Sequence, residues 1–358
     1  MLDFLKDELA VFDSELPVEQ AWTPPSSWYT QPEFMALEKN AVFDNNWIPI
    51  AHTEQLAKNG SYLATCIAGE PVAIVRESQS RIRALSNVCR HNAASILTGE
   101  GVTERLTCPY HGWQYDLSGA LSKAPRMAGV RDFDRQQFQL PQLGLAEWGP
   151  LLLVRTKGSQ KFEPFSGLNE RLEQLEWRNL KHLKRRSYDV DCNWKVYIDN
   201  YLDGGYHVPI LHPDLAQAVE ISTYTTELFD GWSLQSVAAD SSDRRMGQGA
   251  VYAWVYPNLM LNLYGDVMDT NIVLPLSNEK CRVIFDWYFA APQCHDLAFV
   301  EKSLGESHQV EMEDEGICAS VQRGLLSANY ERGRYAPQVE HAKHHFHKRL
   351  HADLTAAL

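Results

Sequence analysis

Residues 87–119 read NVCRHNAASILTGEGVTERLTCPYHGWQYDLSG and hold Cys89-x-His91 and, after sixteen intervening residues, Cys108-x-x-His111. Two thiolates and two imidazoles on neighbouring loops can close one metal centre. The set suits tetrahedral zinc, or a [2Fe–2S] cluster with both Cys on one iron and both His on the other. Zinc-finger spacing normally keeps Cys with Cys and His with His, whereas here each loop supplies one of each. Neutral imidazoles in place of two thiolates raise a cluster's reduction potential, which suits an electron relay. The run Pro109-Tyr110-His111-Gly112-Trp113 adds a tight turn and bulky rings that can shield such a centre. Coincidence, with surface His and small buried Cys, weighs little against four ligand-type residues at this spacing.

Outward from that stretch the texture is of short strands punctuated by Gly and Asn: WIPIAH, SYLATCIA, PVAIVRE, RIRALSN and LLLVRT. A small all-β unit is expected over residues 43–160, inserted into an α+β domain made of residues 1–42 and 161–358. Residues 1–46 read as loosely helical, broken at Pro24-Pro25, with a helical period in PEFMALEKNAVF. The charged stretch 161–186 is expected to be helical, as is NWKVYIDNYLDGGYH. Strands follow in VYAWVYPNLMLNLYG, TNIVLPL and CRVIFDWYFA, and the last sixty residues are helical.

A second constellation lies in DNYLDGGYHVPILHP, residues 199–213. His207 and His212 are five apart with Pro209 between them, so the proline is expected to end the helix and let His212 swing back. Two His and one carboxylate with open positions form the ligand set of non-haem Fe(II) that activates dioxygen. The later run EMEDEGIC offers Glu311, Glu313, Asp314 and Glu315 as the carboxylate.

The pattern C-R-H…C-P-Y-H-G-W resembles the Rieske module of the Rieske non-haem iron oxygenase alpha subunits, the aromatic-ring-hydroxylating oxygenase family. NWKVYIDNYLDGGYHVP and the tail VQRGLLSANYERGRYAP…HHFH look most like the branch containing choline monooxygenase and other quaternary-ammonium oxygenases. The resemblance covers nearly the whole chain. It implies a helix-grip catalytic domain, an antiparallel sheet with packed helices, carrying a [2Fe–2S] cluster on Cys89, Cys108, His91 and His111. It further implies a mononuclear Fe(II) on His207, His212 and an acidic residue best matched by Asp314, with Glu313 the alternative. Many members place a carboxylate three residues before the first iron His, bridging the two metal sites across a subunit boundary. That position is Gly204 here; Asp203, one residue earlier, is taken as the bridge, with Asp199 a further candidate. Asp203 and Asn200 are the candidate catalytic residues, and a head-to-tail homotrimer is implied.

The expected function is that of a terminal oxygenase. It would use O2 and delivered electrons to hydroxylate a C–H bond, with N-demethylation where the carbon is an N-methyl of choline or a betaine. Ring hydroxylation of an aromatic acid is the rival within the class, and a zinc-stapled binding protein without redox chemistry is the rival outside it. No strand-borne G-x-G-x-x-G and no second cluster motif occurs, so a separate NAD(P)H-dependent flavin/iron–sulfur reductase is expected to supply electrons.

Composition agrees. Lys and Arg number 33 against 46 Asp and Glu, a formal charge of −13, which argues against a nucleic-acid partner. No run of eighteen apolar residues predicts a membrane span. The acidic N-terminus lacks the basic and apolar regions of a signal peptide, so the cytoplasm is expected. Seven Cys are too few and too odd for a disulfide framework, and Cys66, Cys192, Cys281, Cys294 and Cys318 read as core or surface thiols. His341, His344, His345, His347 and His351 read as ordinary helix residues. Tyr252, Trp254 and Tyr256 alternate and would share one strand face. With Tyr206 and Tyr264, Trp254 and Tyr256 are pocket candidates, able to hold a trimethylammonium group by cation–π attraction or simply to pack.

Overall fold

The computed structural model describes residues 2–158, 160–239 and 242–358. The chain divides into two units: Phe43–Phe162, and Met1–Val42 together with Glu163–Leu358.

The smaller unit is built from β1 (Ile48–His52), β2 (Ser61–Ile67), β3 (Glu70–Ser78), β4 (Arg81–Ser86), β5 (Glu100–Val102), β6 (Leu106–Thr107), β7 (Gln114–Tyr115), β8 (Leu121–Lys123), β9 (Gly144–Trp148) and β10 (Leu151–Arg155). They form three antiparallel sheets, ordered β1-β10-β9, β4-β3-β2-β5 and β6-β7-β8. Such short sheets bury little surface alone, so stability rests on a shared core: Ala73, Val75, Leu85, Leu106, Trp113, Tyr115 and Leu140 cluster with Cys89 and Cys108.

The larger unit centres on a seven-stranded antiparallel sheet: β11 (Lys181–Val190), β12 (Thr225–Phe229), β13 (Trp232–Ala238), β14 (Gly249–Val255), β15 (Leu259–Tyr264), β16 (Val267–Ser277) and β17 (Lys280–Phe289), in the order β11-β17-β16-β15-β14-β13-β12. More than half of the residues of β16 and β17 are β-branched, aromatic or leucine, and both strands are buried on both faces along most of their length, as strands in mid-sheet must be. The expectation of helix through 186 is corrected here. A helix occupies Leu168–Gln174, but KHLKRRSYDV is the edge strand β11, paired on one side only, to β17. Its charges, which read as a helical face, are those of an edge that must not pair further.

Three helices matter for the site. Trp194–Tyr201 starts at Asn193, whose side chain accepts from the Lys195 amide at 3.1 Å. Leu297–Leu325 is capped by Asp296, which accepts from the Phe299 amide. It buries one stripe, Val300, Leu304, Ser307, Glu311, Cys318 and Gln322, at spacings of three, four and seven. His341–Ala356 closes the chain. Its His347 is fully buried, hydrogen-bonded to Tyr29 (3.0 Å) and Tyr335 (2.7 Å), and its Nε2 lies 2.8 Å from the Asp199 carboxylate. Cys192, Cys281 and Cys318 are buried, the first two 3.8 Å apart at sulfur, while Cys66 is exposed.

Candidate metal centres and the cavity between tyrosines

In the smaller unit, Cys89 and His91 lie on the loop between β4 and β5, and Cys108 and His111 on the hairpin joining β6 to β7. The Cys108 carbonyl accepts from the Gly112 amide, and the Cys108 amide donates to the Trp113 carbonyl at 2.8 Å, so this turn is closed at both ends. Both cysteines are buried, and the Tyr115 hydroxyl lies 3.4 Å from the Cys89 sulfur while accepting from the Arg90 amide. His91 stacks on Trp113 (centroids 4.9 Å apart, planes 9° apart) and meets His111 edge-on at 4.7 Å. Among the described residues the Nδ1 of His91 is buried without a hydrogen-bond partner, as a nitrogen that binds a metal would be. Among the described residues no three of these four donors lie within 4.8 Å of one another. A single zinc ion gathers its ligands to about 3.3–3.8 Å, so the arrangement fits a two-iron cluster better.

In the larger unit the chain after Tyr201 turns through Gly204 (φ +72°) and Gly205 (φ +75°). A Cβ on Gly204 would stand 2.3 Å from the Val339 carbonyl oxygen, and one on Gly205 would strike the Tyr224 ring. No side chain fits at 204, and the neighbouring carboxylate is that of Asp203. Its Oδ1 accepts from the Tyr206 amide, and its Oδ2 accepts from the His207 amide (3.0 Å) and lies 2.6 Å from His207 Nδ1. Pro209 does not end the helix as expected. It falls in the first turn of a new one, Val208–Leu211, where a missing N–H costs nothing, and that turn separates His207 from His212.

The two imidazoles stand 5.0 Å apart and nearly perpendicular. His212 Nε2 is 3.2 Å and His207 Nε2 4.0 Å from Asp314 Oδ1, and the three residues offer ligand atoms all within 4.8 Å of one another. Each outer nitrogen meets its own carboxylate: Asp203 at His207, and Glu313 Oε2 at 2.6 Å from His212 Nδ1. Asn200 Nδ2 donates to Asp314 Oδ1 at 2.7 Å. Burial disfavours a charged His212, but Asp314 and Glu313 outweigh it and raise its pKa. Burial likewise raises Glu313, yet His212 and Gln309 hold its carboxyl below the ordinary value.

A cavity of about 110 Å³ opens onto His207, His212 and Asp314. Its floor is a row of successive cross-strand partners, Gln235, Tyr252, Asn262 and Asp269, on β13 to β16. The Tyr252 ring has Tyr201, Tyr224 and Tyr264 around it at 6.1–6.5 Å between centroids. Burial pushes all four phenols up, keeping them neutral. Of the pocket candidates only Tyr264 lines this cavity. Trp254, two residues along β14 from Tyr252, is covered by Phe346 of the last helix (5.4 Å), and the Tyr256 hydroxyl is tied to Asp353. Tyr206 is 63% exposed and points elsewhere. Arg245, Asp269, Asn271, Tyr201 and Tyr224 line the cavity without having been singled out, and Glu311, weighed only as an iron carboxylate, lines it too. The available signal was polar residues at inward positions of otherwise apolar strands, as in L-N-L-Y and M-D-T-N.

Comparison with known proteins agrees with this geometry. The Rieske [2Fe-2S] domain family matches residues 46–134, and the ring-hydroxylating alpha subunit catalytic domain matches 177–247 and 229–356. The chain is 41% identical to the chloroplastic choline monooxygenase of Arabidopsis thaliana, over 96% of this chain and 85% of that one. It is 30% identical to the carnitine monooxygenase oxygenase subunit of Escherichia coli K12, over 93% and 94%. The crystal structure of the quaternary ammonium Rieske monooxygenase CntA with an inhibitor superposes with a TM-score of 0.85 at 30% identity, covering 97% of this chain and 98% of that one. Two thiol–imidazole loops in a β unit, a two-histidine, one-carboxylate cluster under an antiparallel sheet and these matches along nearly its whole length place the chain among the Rieske non-haem iron oxygenase alpha subunits, oxidoreductases that bind a [2Fe–2S] cluster and a mononuclear iron.

Proposed function

We propose that the protein is the terminal oxygenase of a multicomponent system that hydroxylates a small quaternary ammonium compound. The observation that carries this is the tyrosine-walled cavity opening directly onto His207, His212 and Asp314. Neutral phenol rings present π faces that attract a trimethylammonium head without the desolvation cost of a buried anion. Relatives named for choline and carnitine, and CntA structures with L-carnitine and γ-butyrobetaine, support the same substrate class.

Iron(II) held by His207, His212 and Asp314 supplies the dioxygen chemistry, whose balance is R–H + O2 + 2e⁻ + 2H⁺ → R–OH + H2O. The chain's own groups do the positioning. Asp203 and Glu313 fix the imidazoles so that each Nε2 faces inward, and Asn200 steadies the Asp314 carboxylate. The tyrosines exclude water from the C–H bond beside the metal. Where that bond belongs to an N-methyl group, the hydroxymethyl product breaks its C–N bond and releases formaldehyde and the demethylated amine.

Cys89, Cys108, His91 and His111 hold the cluster that receives electrons from a separate NAD(P)H-dependent reductase. A homotrimer in which one subunit's cluster serves its neighbour's iron, with Asp203 at the junction, accounts for a cluster and an iron carried on separate units of one chain. A cytoplasmic location fits a reduced-thiol, reductase-fed protein.

The test is reductase-coupled turnover over choline, glycine betaine, L-carnitine and benzoate, read as O2 uptake, formaldehyde and product mass. Product from a quaternary ammonium compound is expected. Product from benzoate alone would transfer the assignment to ring hydroxylation.

A further inference from the structure

Arg245 is buried in the cavity wall, yet its charge is poorly used. Its guanidinium lies over Tyr264, 4.4 Å from the ring centroid, and its Nη2 is 3.5 Å from Asp269 Oδ2, beyond good hydrogen-bond length. Its Nε has no hydrogen-bond partner. Neither does Nδ2 of Asn271 or Oδ2 of Asp269, both on the same strand and lining the same cavity. Asp269 Oδ1 is occupied by Asn262 Nδ2 at 2.6 Å. The Tyr264 side chain interacts with both Arg245 and Asp269; buried polar atoms are normally satisfied, so the two donors left over around the cavity among the described residues, Arg245 Nε and Asn271 Nδ2, call for an acceptor.

These side chains form a fixed dipole, positive at Arg245 and negative at Asp269, with no net charge. A bare cation gains at Asp269 and at the tyrosine faces but loses at Arg245. A bare anion gains at Arg245 and loses at Asp269. Only a neutral molecule carrying both charges a few bonds apart gains at both ends. A guanidinium fork also suits a carboxylate better than it suits a hydroxyl, because both oxygens accept.

We propose that Arg245, seconded by Asn271, is the specificity-determining anchor for a carboxylate, and that the substrate is a betaine: a quaternary ammonium zwitterion, in preference to an amino alcohol such as choline. The ammonium head then lies toward the rings of Tyr252, Tyr201 and Tyr224, since Arg245 itself covers Tyr264. This rests on the quaternary-ammonium reading and narrows it.

The experiment uses the holoenzyme with its electron supply and matched substrate pairs: glycine betaine and its methyl ester, γ-butyrobetaine and its methyl ester, with choline and benzoate alongside. Each ester keeps the cation and removes the anion. At least one acid should exceed its ester and choline in kcat/KM by roughly tenfold or more, because an ester leaves the Arg245 donors unpaired. Arg245→Gln should cut that acid-to-ester ratio about tenfold, mainly through KM, and Arg245→Lys should retain part of it. Unchanged visible spectrum and iron content in both variants show that they fold. Esters and choline turned over as fast as the acids by the unmodified enzyme, or an acid-to-ester ratio unmoved in Arg245→Gln, overturn the anchor and leave the quaternary-ammonium reading standing. Product from benzoate with none from any quaternary compound overturns both.

Discussion

His207 and His212 are held alike, each with its outer nitrogen on a carboxylate and its inner one toward Asp314, and this symmetry separates a ligand from its supports. Asp314→Ala removes one of the three proposed ligands, so the variant should lose mononuclear iron and turnover while keeping the visible spectrum of the cluster. Glu313→Gln removes only a support, and iron affinity or activity should fall about 10–100-fold. Metal analysis and spectra of the two variants check this; iron retained in Asp314→Ala but lost in Glu313→Ala would reverse the roles. Cysteine and histidine were legible in the sequence because few residue types can ligate and their spacing is restrictive. What favours Asp314 over the adjacent Glu313 is the helix phase, which puts Asp314 three residues from the buried Glu311 and Glu313 on the partly exposed flank. Arg245 and Asp269 gave no local pattern, since a cavity wall draws single residues from strands far apart in sequence.

At the scale of elements, two charged clusters lock the larger unit together. Lys195, on the helix that leads to His207, donates to Glu38 at 2.5 Å, and Trp194 Nε1 donates to the other carboxylate oxygen at 2.7 Å. Lys195 and Glu38 are 0% and 1% exposed, so removing one strands the other. Lys195→Met should lower stability by about 3–5 kcal/mol, and the double variant with Glu38→Leu should recover much of it, as read from urea unfolding. The second cluster ties β11 to β17: Asp286 accepts from Arg185 at 2.6 and 2.8 Å and lies 2.9 Å from His182 Nε2. Burial pushes Asp286 up, but Arg185 and His182 prevail and hold its pKa at about 2. A folded pKa below the unfolded one of about 3.9 means that this stabilisation is complete above that value and lost as pH falls toward 2; the two values make it worth about 2–3 kcal/mol. Asp286→Asn should therefore unfold more easily at pH 6 and show a flatter stability curve between pH 4 and 2. Strands with clean alternation or continuous apolar runs were legible, because period and burial coincide there. β11 was not, because a solvent-facing edge carries charges at both parities and imitates a helix.

For the whole molecule, an inserted β unit was legible as a change of texture near residues 43 and 160, close to where the chain divides at Phe43 and Phe162. What no single chain writes down is which iron a given cluster serves. The ring proposed above makes a prediction that depends on assembly alone. A Cys108→Ala chain has an intact iron site and no cluster; an Asp314→Ala chain has an intact cluster and no iron site. Each should be inactive by itself. If every cluster feeds a neighbour, mixed rings regain activity wherever an Asp314→Ala subunit stands on the donor side of a Cys108→Ala subunit. Random equal mixing in a closed head-to-tail ring gives that order at about one junction in four, so co-expressed chains should show roughly a quarter of the unmodified turnover per subunit. The double variant, Cys108→Ala with Asp314→Ala, mixed with unmodified chains gives the control. There too a junction works only when donor and acceptor are both unmodified, again about one in four, whereas within-chain transfer would leave half the activity. Within-chain transfer also predicts none at all from the first mixture, so the two mixtures together, with sedimentation to count subunits, decide between a neighbour's cluster and the chain's own.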